Sequence, residues 1–338
     1  MAVSITSQLE TATRRYIDPT VRVTVAWKNL FWHRLFKASR TISGGLNFNW
    51  PIEHGDGSDV QWISDYTPLD REPSEIITRA TIDWVFGNKA TVLSKIELAK
   101  NRGSKEQVVD ILKRKTSYTT RRVAKKLSDA VWIGSGGLMP TGISSGTYAA
   151  PGTGGAISTL GKTDTNTYAG LTRNTDDVSD AQYTFDEENW FCNDMTDAAG
   201  PIDEGILEQA LLDTTDSDRQ TDMIVTSKAG FRLVYGIATP LQREPHQDAA
   251  KLGFKSINFD GIPVVWDDGV PDLATDRRIY LLDMSGIELN WLKGWKLNRE
   301  PWHKPQNQHT LVTDTCWGFA FAVTEPVKQH VVHGITGA

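Results

Sequence analysis

Between Thr41 and Phe86 the sequence alternates apolar and polar residues, turns on a polar tip, and alternates back, without an apolar surplus to cover the face it creates. Ile42, Leu46, Phe48 and Trp50 alternate with Thr41, Ser43, Asn47 and Asn49, the period-2 pattern of a strand with one apolar face. On the return limb Ile76, Ala80, Ile82, Trp84 and Phe86 share a face opposed by Arg79, Thr81 and Asp83, and the tip between the limbs runs from Glu53 to Asp59. A two-stranded arm of this length is marginal alone in water, so its apolar face must be covered by something else. If nothing in the same chain reaches it, a neighbouring subunit does. Leu46, Phe48, Trp50, Trp62, Ile82 and Trp84 are the candidate contacts, and the chain points to assembly before chemistry.

At 338 residues the chain is long enough to bury a substantial core without staples. Cys192 and Cys316 lie far apart, with no CxxC and no neighbouring His pair, which signals neither a disulfide framework nor a zinc site. No amino-terminal apolar run resembles a signal peptide and no 18 apolar residues run together, so a reducing cytoplasm and no membrane partner are expected. The net charge of -6 is unevenly placed. Residues 1–40 carry seven Lys/Arg, including Arg14 and Arg15, against two acids, a surplus of five. Residues 104–132 carry eight, including Lys113, Arg114, Arg121, Arg122 and Lys125, against three acids, again a surplus of five. Such polarity suits one surface near a polyanion, with a solvated basic helix face as the plainer alternative. The twelve Trp are spread along the whole chain instead of forming a binding cage, and fit either core or large buried interfaces.

Along the chain, residues 1–26 read as a loosely structured basic arm, and residues 27–38 have amphipathic helical spacing. The hairpin over 41–86 follows, and Ala90 to Leu98 reads as helix or strand. Ser104 to Trp132 is the clearest helix, opened by a Ser104/Gln107 capping box and stopped by Gly134 and Gly136-Gly137. From Gly134 the composition turns to Gly, Ser, Thr and Ala, and residues 141–183 read as a loop or hinge between two domains. A phosphate-binding loop there lacks both the required spacing and a preceding strand. Residues 184–294 read as a compact α/β module, with a helix over Ile202 to Leu212, a buried strand over Met223 to Thr226, and a helix over Ser227 to Tyr235. Short strands follow at Phe254 to Phe259, Ile262 to Trp266 and Arg278 to Leu282. Residues 295–338 return to strand alternation, expected beside the long helix.

No catalytic constellation emerges. His303 and His309 lack metal-ligand spacing, His330 and His333 flank a strand end, and the acidic runs Asp186–Glu188 and Asp213–Asp218 lack the order of a calcium loop. No nucleophile elbow, dinucleotide fingerprint or kinase set is present, and no metal or cofactor is expected.

The order of basic arm, long hairpin, spine helix, Gly-rich hinge, α/β module and returning strands resembles the major capsid proteins of tailed double-stranded DNA bacteriophages. Three stretches are similar to recurring elements of that family: Pro140-Thr141-Gly142-Ile143, Tyr168-Ala169-Gly170-Leu171-Thr172-Arg173 and Phe259-Asp260-Gly261-Ile262-Pro263-Val264. The closing Thr324-Glu325-Pro326-Val327 with a terminal strand also resembles theirs. The resemblance implies an α+β, HK-ninety-seven-type fold. Its parts are an N-arm over 1–40, an E-loop over 41–86, a P-domain with the spine over 87–140, an axial A-domain over 184–294 and returning P-domain strands over 295–338. Gly142, Gly170 and Gly261 are the expected hinge and turn positions. It further implies a non-enzymatic shell protein forming hexamers and pentamers in a virion, assembled in the host cytoplasm, with each E-loop lying across an adjacent subunit. Arg14, Arg15, Lys113, Arg114, Arg121, Arg122 and Lys125 would face packaged DNA through non-specific contacts. A portal protein, a separate scaffolding protein and a decoration protein are the implied partners, since no room precedes the hairpin for a fused scaffold. No Lys lies between Thr41 and Glu75, so the Lys–Asn cross-link of some family members is not expected. An encapsulin-like cellular shell, and a soluble α/β hydrolase or carbohydrate-binding protein using the aromatic stretch at 291–302, are the alternatives.

Overall fold

The structure, a computed structural model of the chain, describes residues 30–53, 77–100, 111–144, 154–161, 164, 166–173, 191–214, 220–237, 257–306 and 308–337. In chain order the elements are α1 (Leu30–Ala38), β1 (Arg40–Ile42), β2 (Asn47–Glu53), β3 (Ile77–Asp83), β4 (Val85–Ser94), α2 (Lys95–Lys100) and α3 (Ile111–Ile133). They continue with β5 (Thr167–Tyr168), β6 (Leu171–Thr172), β7 (Asp194–Gly200), α4 (Glu204–Thr214), β8 (Met223–Thr226), α5 (Lys228–Ile237), β9 (Ile257–Phe259) and β10 (Ile262–Trp266). The chain closes with β11 (Asp272–Leu273), β12 (Asp276–Leu282), β13 (Ile287–Leu292), β14 (Asn298–Arg299), β15 (Thr310–Val323) and β16 (His330–Ile335). This is the α+β content anticipated above.

Two compact units emerge, the larger comprising residues 28–87, 125–298 and 316–338 and the smaller including 88–124 and 299–315. In the larger unit, a mixed sheet has the order β7-β16-β12-β8-β10-β9, with β11 beside β12. Strand β8 is buried at every residue, which is why Met223-Ile224-Val225-Thr226 shows no polar alternation. Ile224, Val264, Ile279, Leu281 and Val332 from the sheet pack with Leu207 and Leu211 of α4 and Val234 of α5 in one apolar cluster. Helix α5 begins where the Ser227 hydroxyl accepts from Gly230 N at 3.1 Å, the cap its sequence announces.

A second sheet has the order β1-β13-β15-β14, with β4 also along β15. Helix α1 buries Leu30, Phe31, Trp32 and Leu35. The Phe31 and Trp132 rings stand 4.9 Å apart, and Phe36 meets Trp291 edge-on at 5.9 Å. In the smaller unit Thr91 and Thr119 share a buried 2.9 Å hydrogen bond, and Glu97 pairs with Lys115 at 2.6 Å. His303 bridges Val312 through reciprocal 2.9 Å backbone bonds.

Several boundaries differ from the sequence reading. The outgoing limb does not begin at Thr41: Thr41 and Ile42 pair in parallel with Trp291 and Leu292, and the hairpin ladder runs from Asn47↔Asp83 to Glu53↔Ile77. The return limb breaks at Trp84, after which β4 joins β15. Terminal strand β16 does not lie with the returning strands but between β7 and β12 in the seven-stranded sheet, while β13, assigned to the α/β module, pairs with β15. Alternation marks a strand but not its sheet, which is set by long-range pairing. The described residues just after the spine, 141–144 and 154–161, are packed instead of forming an open hinge. Ile143, Ala156, Ile157 and Ser158 are fully buried, and Ala156 N and Ile157 N donate to the carbonyls of Gly142 and Ile143. Small residues there permit close backbone packing, which composition alone does not separate from flexibility. The capping box at Ser104, the basic arm and the acidic run Asp186–Glu188 lie outside the described residues.

Candidate assembly surfaces

The hairpin β2–β3 is a seven-residue antiparallel ladder in register from Asn47↔Asp83 to Glu53↔Ile77. Phe48 stacks on Trp50 with centroids 5.4 Å apart, and Trp84 meets Phe48 edge-on at 6.5 Å. Trp84 Nε1 also donates to the Gly45 carbonyl at 3.1 Å. Of the six expected contacts, Leu46 is 94% exposed, whereas Phe48, Ile82 and Trp84 are half-buried. Trp62 lies outside the described residues. Trp50 departs from the expectation: it is only 9% exposed, because it packs within its own chain and donates from Nε1 to the Thr324 carbonyl at 3.2 Å. Ala80 across from it is fully buried, while Ile77 is 62% exposed. The chain thus buries the Trp50–Ala80 rung itself, while Leu46 before the ladder and Ile77 on the opposite face stay exposed. An open cleft of about 510 Å³ lies against the hairpin, lined by Asn49, Trp50, Pro51, Ile77, Thr78 and Arg79.

Beside the hairpin, the stretch Tyr168–Arg173 forms a turn at Gly170, one of the expected turn positions. Strands β5 and β6 join through Ala169 and Gly170, both at positive φ (51° and 81°), the two-residue loop suited to the twist of a tight hairpin. Asp260 and Gly261 repeat this geometry between β9 and β10, with φ of 49° and 81°. Gly142 is required for a different reason: a Cβ there would lie 2.5 Å from Gly134 N and 2.8 Å from the Trp132 carbonyl group.

Beneath the β5–β6 turn, Arg173 and Asp164 are both buried, with side chains 1% and 0% exposed and Nε 3.5 Å from Oδ2. Those two atoms have no hydrogen-bond partner among the described residues, so the pair is held by charge at that point. The guanidinium also donates from Nη1 to Asn193 Oδ1 at 3.4 Å and from Nη2 to the Gly155 carbonyl, and it lies 5.3 Å from the centre of the Tyr168 ring. Burial pulls the Arg173 pKa below its ordinary value, opposed by the Asp164 charge. Burial likewise pushes the Tyr168 phenol up to about 12, which keeps it neutral. Its hydroxyl accepts from Val323 N at 2.8 Å. A Tyr and an Arg flanking an Ala-Gly turn were the visible signal, but the distant partners Asp164, Asn193 and Val323 are not readable from sequence.

On the spine, the buried stripe Thr119, Val123, Leu127 and Ala130 follows helical spacing. Arg114, Tyr118, Arg121 and Arg122 fall within an arc of about 100° on another side. Tyr118 and Arg122 are exposed, and the Arg122 guanidinium lies 5.9 Å from the Tyr118 ring centre. Arg121 is half-buried and donates to the Ser117 carbonyl at 3.4 Å. Lys125 pairs with Asp129 at 3.3 Å. Lys113 falls on the helix; Arg14 and Arg15 lie outside the described residues.

Elsewhere, no cluster of three or more potential metal ligands exists among the described residues. No described helix is long and apolar enough to cross a membrane. Cys192 and Cys316 are not joined in a disulfide, and Cys192 Sγ donates to the Arg173 carbonyl at 2.9 Å. His330 opens β16 and His333 lies within it. His330 is buried with Nε2 2.9 Å from the Thr196 hydroxyl, and burial drops its pKa to about 4.

Among solved structures, the chain is similar to the capsid protein of the native GTA particle at a TM-score of 0.65 and 12% identity, over 100% of both chains. It is similar to the capsid asymmetric unit of cyanophage A-1(L) at 0.65 and 13%, over 97% of this chain and 98% of that one. The holo-SrpI encapsulin of Synechococcus elongatus matches at 0.51 and 9%, over 99% and 97%. No family model and no curated protein matches the sequence. The fold is the HK-ninety-seven-type shell fold, shared here at an identity that leaves only the architecture in common.

Proposed function

We propose that the chain is the major capsid protein of a tailed-phage-type head, assembling as hexamers and pentamers into an icosahedral-type shell around packaged double-stranded DNA. The observation that carries this reading is the end-to-end likeness to phage-type capsid proteins, with TM-scores of 0.65 over essentially the full length of both chains. The hairpin supports it, since Leu46 before the ladder and Ile77 on its polar face are apolar and exposed. In this reading β2–β3 reaches across an adjacent subunit. The spine residues Arg114, Arg121, Arg122 and Lys125, with Lys113, Arg14 and Arg15, supply weak phosphate contacts that are independent of sequence and sensitive to salt. The chain acts by packing, not catalysis. A portal protein, a separate scaffolding protein and a decoration protein are its proposed partners, in a virion assembled in the host cytoplasm.

Electron microscopy of the expressed chain, with nucleic-acid content measured after nuclease treatment, tests the proposal. Shells or capsomer rings are expected, and DNA-filled heads when packaging partners are supplied. A uniform population of monomers under all conditions, scaffold included, would refute it. The likeness to an encapsulin favours one second reading, a cellular shell around protein cargo. Particles that retain a co-purifying enzyme and no nucleic acid would select it.

A further inference from the structure

The hairpin β2–β3 is tied to the rest of the larger unit at adjacent rungs. Trp50 Nε1 donates to the Thr324 carbonyl at 3.2 Å, and Thr81 N donates to the Ala169 carbonyl at 2.8 Å. Trp50 lies opposite Ala80, and Thr81 opposite Asn49. The two acceptors are themselves joined, because Val323, the residue before Thr324, donates its N–H to the hydroxyl of Tyr168, the residue before Ala169, at 2.8 Å. The result is a closed circuit: Trp50 to Thr324, Val323 to Tyr168, Ala169 to Thr81, and back through the ladder to Trp50.

We propose that this circuit is a clamp that sets the direction in which the hairpin leaves its subunit, and that Tyr168 is its positioning residue. The inference rests on reading the hairpin as the arm that reaches a neighbour. Three observations support it. The clamped rung is buried at Trp50 and Ala80, whereas its neighbours on the same face, Phe48, Ile82, Ile52 and Thr78, are only half-buried, so the circuit coincides with a place where the hairpin meets its own subunit. Ala169 is held at φ 51°, a conformation that a residue with a Cβ rarely adopts, and its carbonyl is the one that receives Thr81 N. The Tyr168 ring is in turn fixed from below by Arg173, which is anchored to Asp164, Asn193 and the Gly155 carbonyl. The three described rungs beyond the clamp, Pro51 to Glu53, lengthen the lever by about 3.3 Å each, so a small tilt at the clamped rung becomes a displacement at Glu53. A neighbour's surface would register that displacement as a changed angle between subunits.

The test uses the full chain, comparing wild type with Tyr168→Phe, which keeps the ring and removes the acceptor, and Trp50→Phe, which removes only the indole donor and some area. Amide exchange in the unassembled subunit is read at Thr81 and, as reference, along β8 and β12. Particle diameters are read by electron microscopy under assembly conditions. Exchange at Thr81 is expected to accelerate by about 5–30-fold in each variant, the factor a lost hydrogen bond implies, with β8 and β12 unchanged and the diameter distribution broadened or split. A merely structural role would accelerate exchange uniformly, and that result overturns the proposal, as does unchanged exchange at Thr81. If Tyr168→Phe does not fold, Trp50→Phe decides by the same criteria. A wild-type chain that never assembles counts against the shell reading, while the exchange result still decides whether the clamp exists.

Discussion

Replacing Arg173 by Met tests whether the buried charge pair beneath the β5–β6 turn holds this region together. The substitution keeps much of the side-chain volume and deletes the guanidinium, leaving Asp164 fully buried opposite an apolar tip. Among the described residues, what remains for that carboxylate is Asn166, whose N donates to Oδ1 at 3.0 Å and whose Nδ2 also donates there. At the 3.5 Å separation of the pair, an effective dielectric of about 20 gives a Coulomb attraction of about 5 kcal/mol. Breaking a buried pair by removing one partner costs about 3–5 kcal/mol in total, since the desolvated survivor is left uncompensated. With an unfolding entropy of about 2.1 cal/mol/K per residue over the whole chain, a loss near 4 kcal/mol lowers the midpoint by about 5–6 °C. Urea unfolding followed by Trp fluorescence, with calorimetry, reads this on the unassembled subunit. The decisive arm is the double variant Arg173→Met/Asp164→Asn, which removes both charges. It is expected to be at least about 2 kcal/mol more stable than the sum of the single losses requires. A single Arg173→Met loss below about 1 kcal/mol, or strict additivity in the cycle, would show that the pair is not coupled and refute the reasoning.

Other outcomes follow from equally local geometry. Gly142→Ala forces a Cβ onto backbone atoms of Gly134 and Trp132 that cannot rotate away, and is expected to cost about 3 kcal/mol or more. Gly170→Ala meets open space at φ 81° and should cost only about 1–2 kcal/mol, so thermal unfolding that reverses this order contradicts the packing described after the spine. Because the pKa of His330 is depressed to about 4 in the folded chain, its unfolded form binds the extra proton. The stability it contributes is therefore full above its ordinary value of 6.5 and is lost as pH falls towards 4. The loss is about 3 kcal/mol at 1.36 kcal/mol per pKa unit. A His330→Gln variant should flatten that part of the stability-against-pH curve, and an unchanged slope would contradict it. For the spine, Arg121→Ala/Arg122→Ala should reduce the slope of log affinity against log salt for duplex DNA by about 1.8 without introducing sequence preference.

Sequence and structure agree where local chemistry decides. The Ser227 cap, the Asp260-Gly261 turn and the buried run at Met223–Thr226 all carry their signal within a few residues, and each is found in place. The hairpin was also legible as two alternating limbs, but its start was misplaced. Ile42 continues the alternation while pairing with Leu292, some 250 residues away in sequence, and nothing in a period-2 pattern reports which strand a residue will meet. The same limit put β16 beside the spine instead of between β7 and β12. Trp50 shows a second limit. Its position on the apolar face is correct, but whether the neighbour or its own chain buries it depends on Thr324, which lies 274 positions downstream. The exposure of Leu46 and the helical spacing of the spine's buried stripe follow from local pattern. The Arg173–Asp164 pair and the Tyr168 circuit do not, because each exists only once distant segments meet.

Cryo-electron microscopy of the assembled protein shows at once whether this chain builds a shell by laying its hairpin on a neighbour. The expected result is closed shells in which β2–β3 of each subunit crosses an adjacent one, with Leu46 and Ile77 buried at that contact. A deletion of residues 53–65 should then leave a folded subunit that forms no closed shell. Particles in which the hairpin contacts only its own chain, or normal shells from the deletion, would contradict the account.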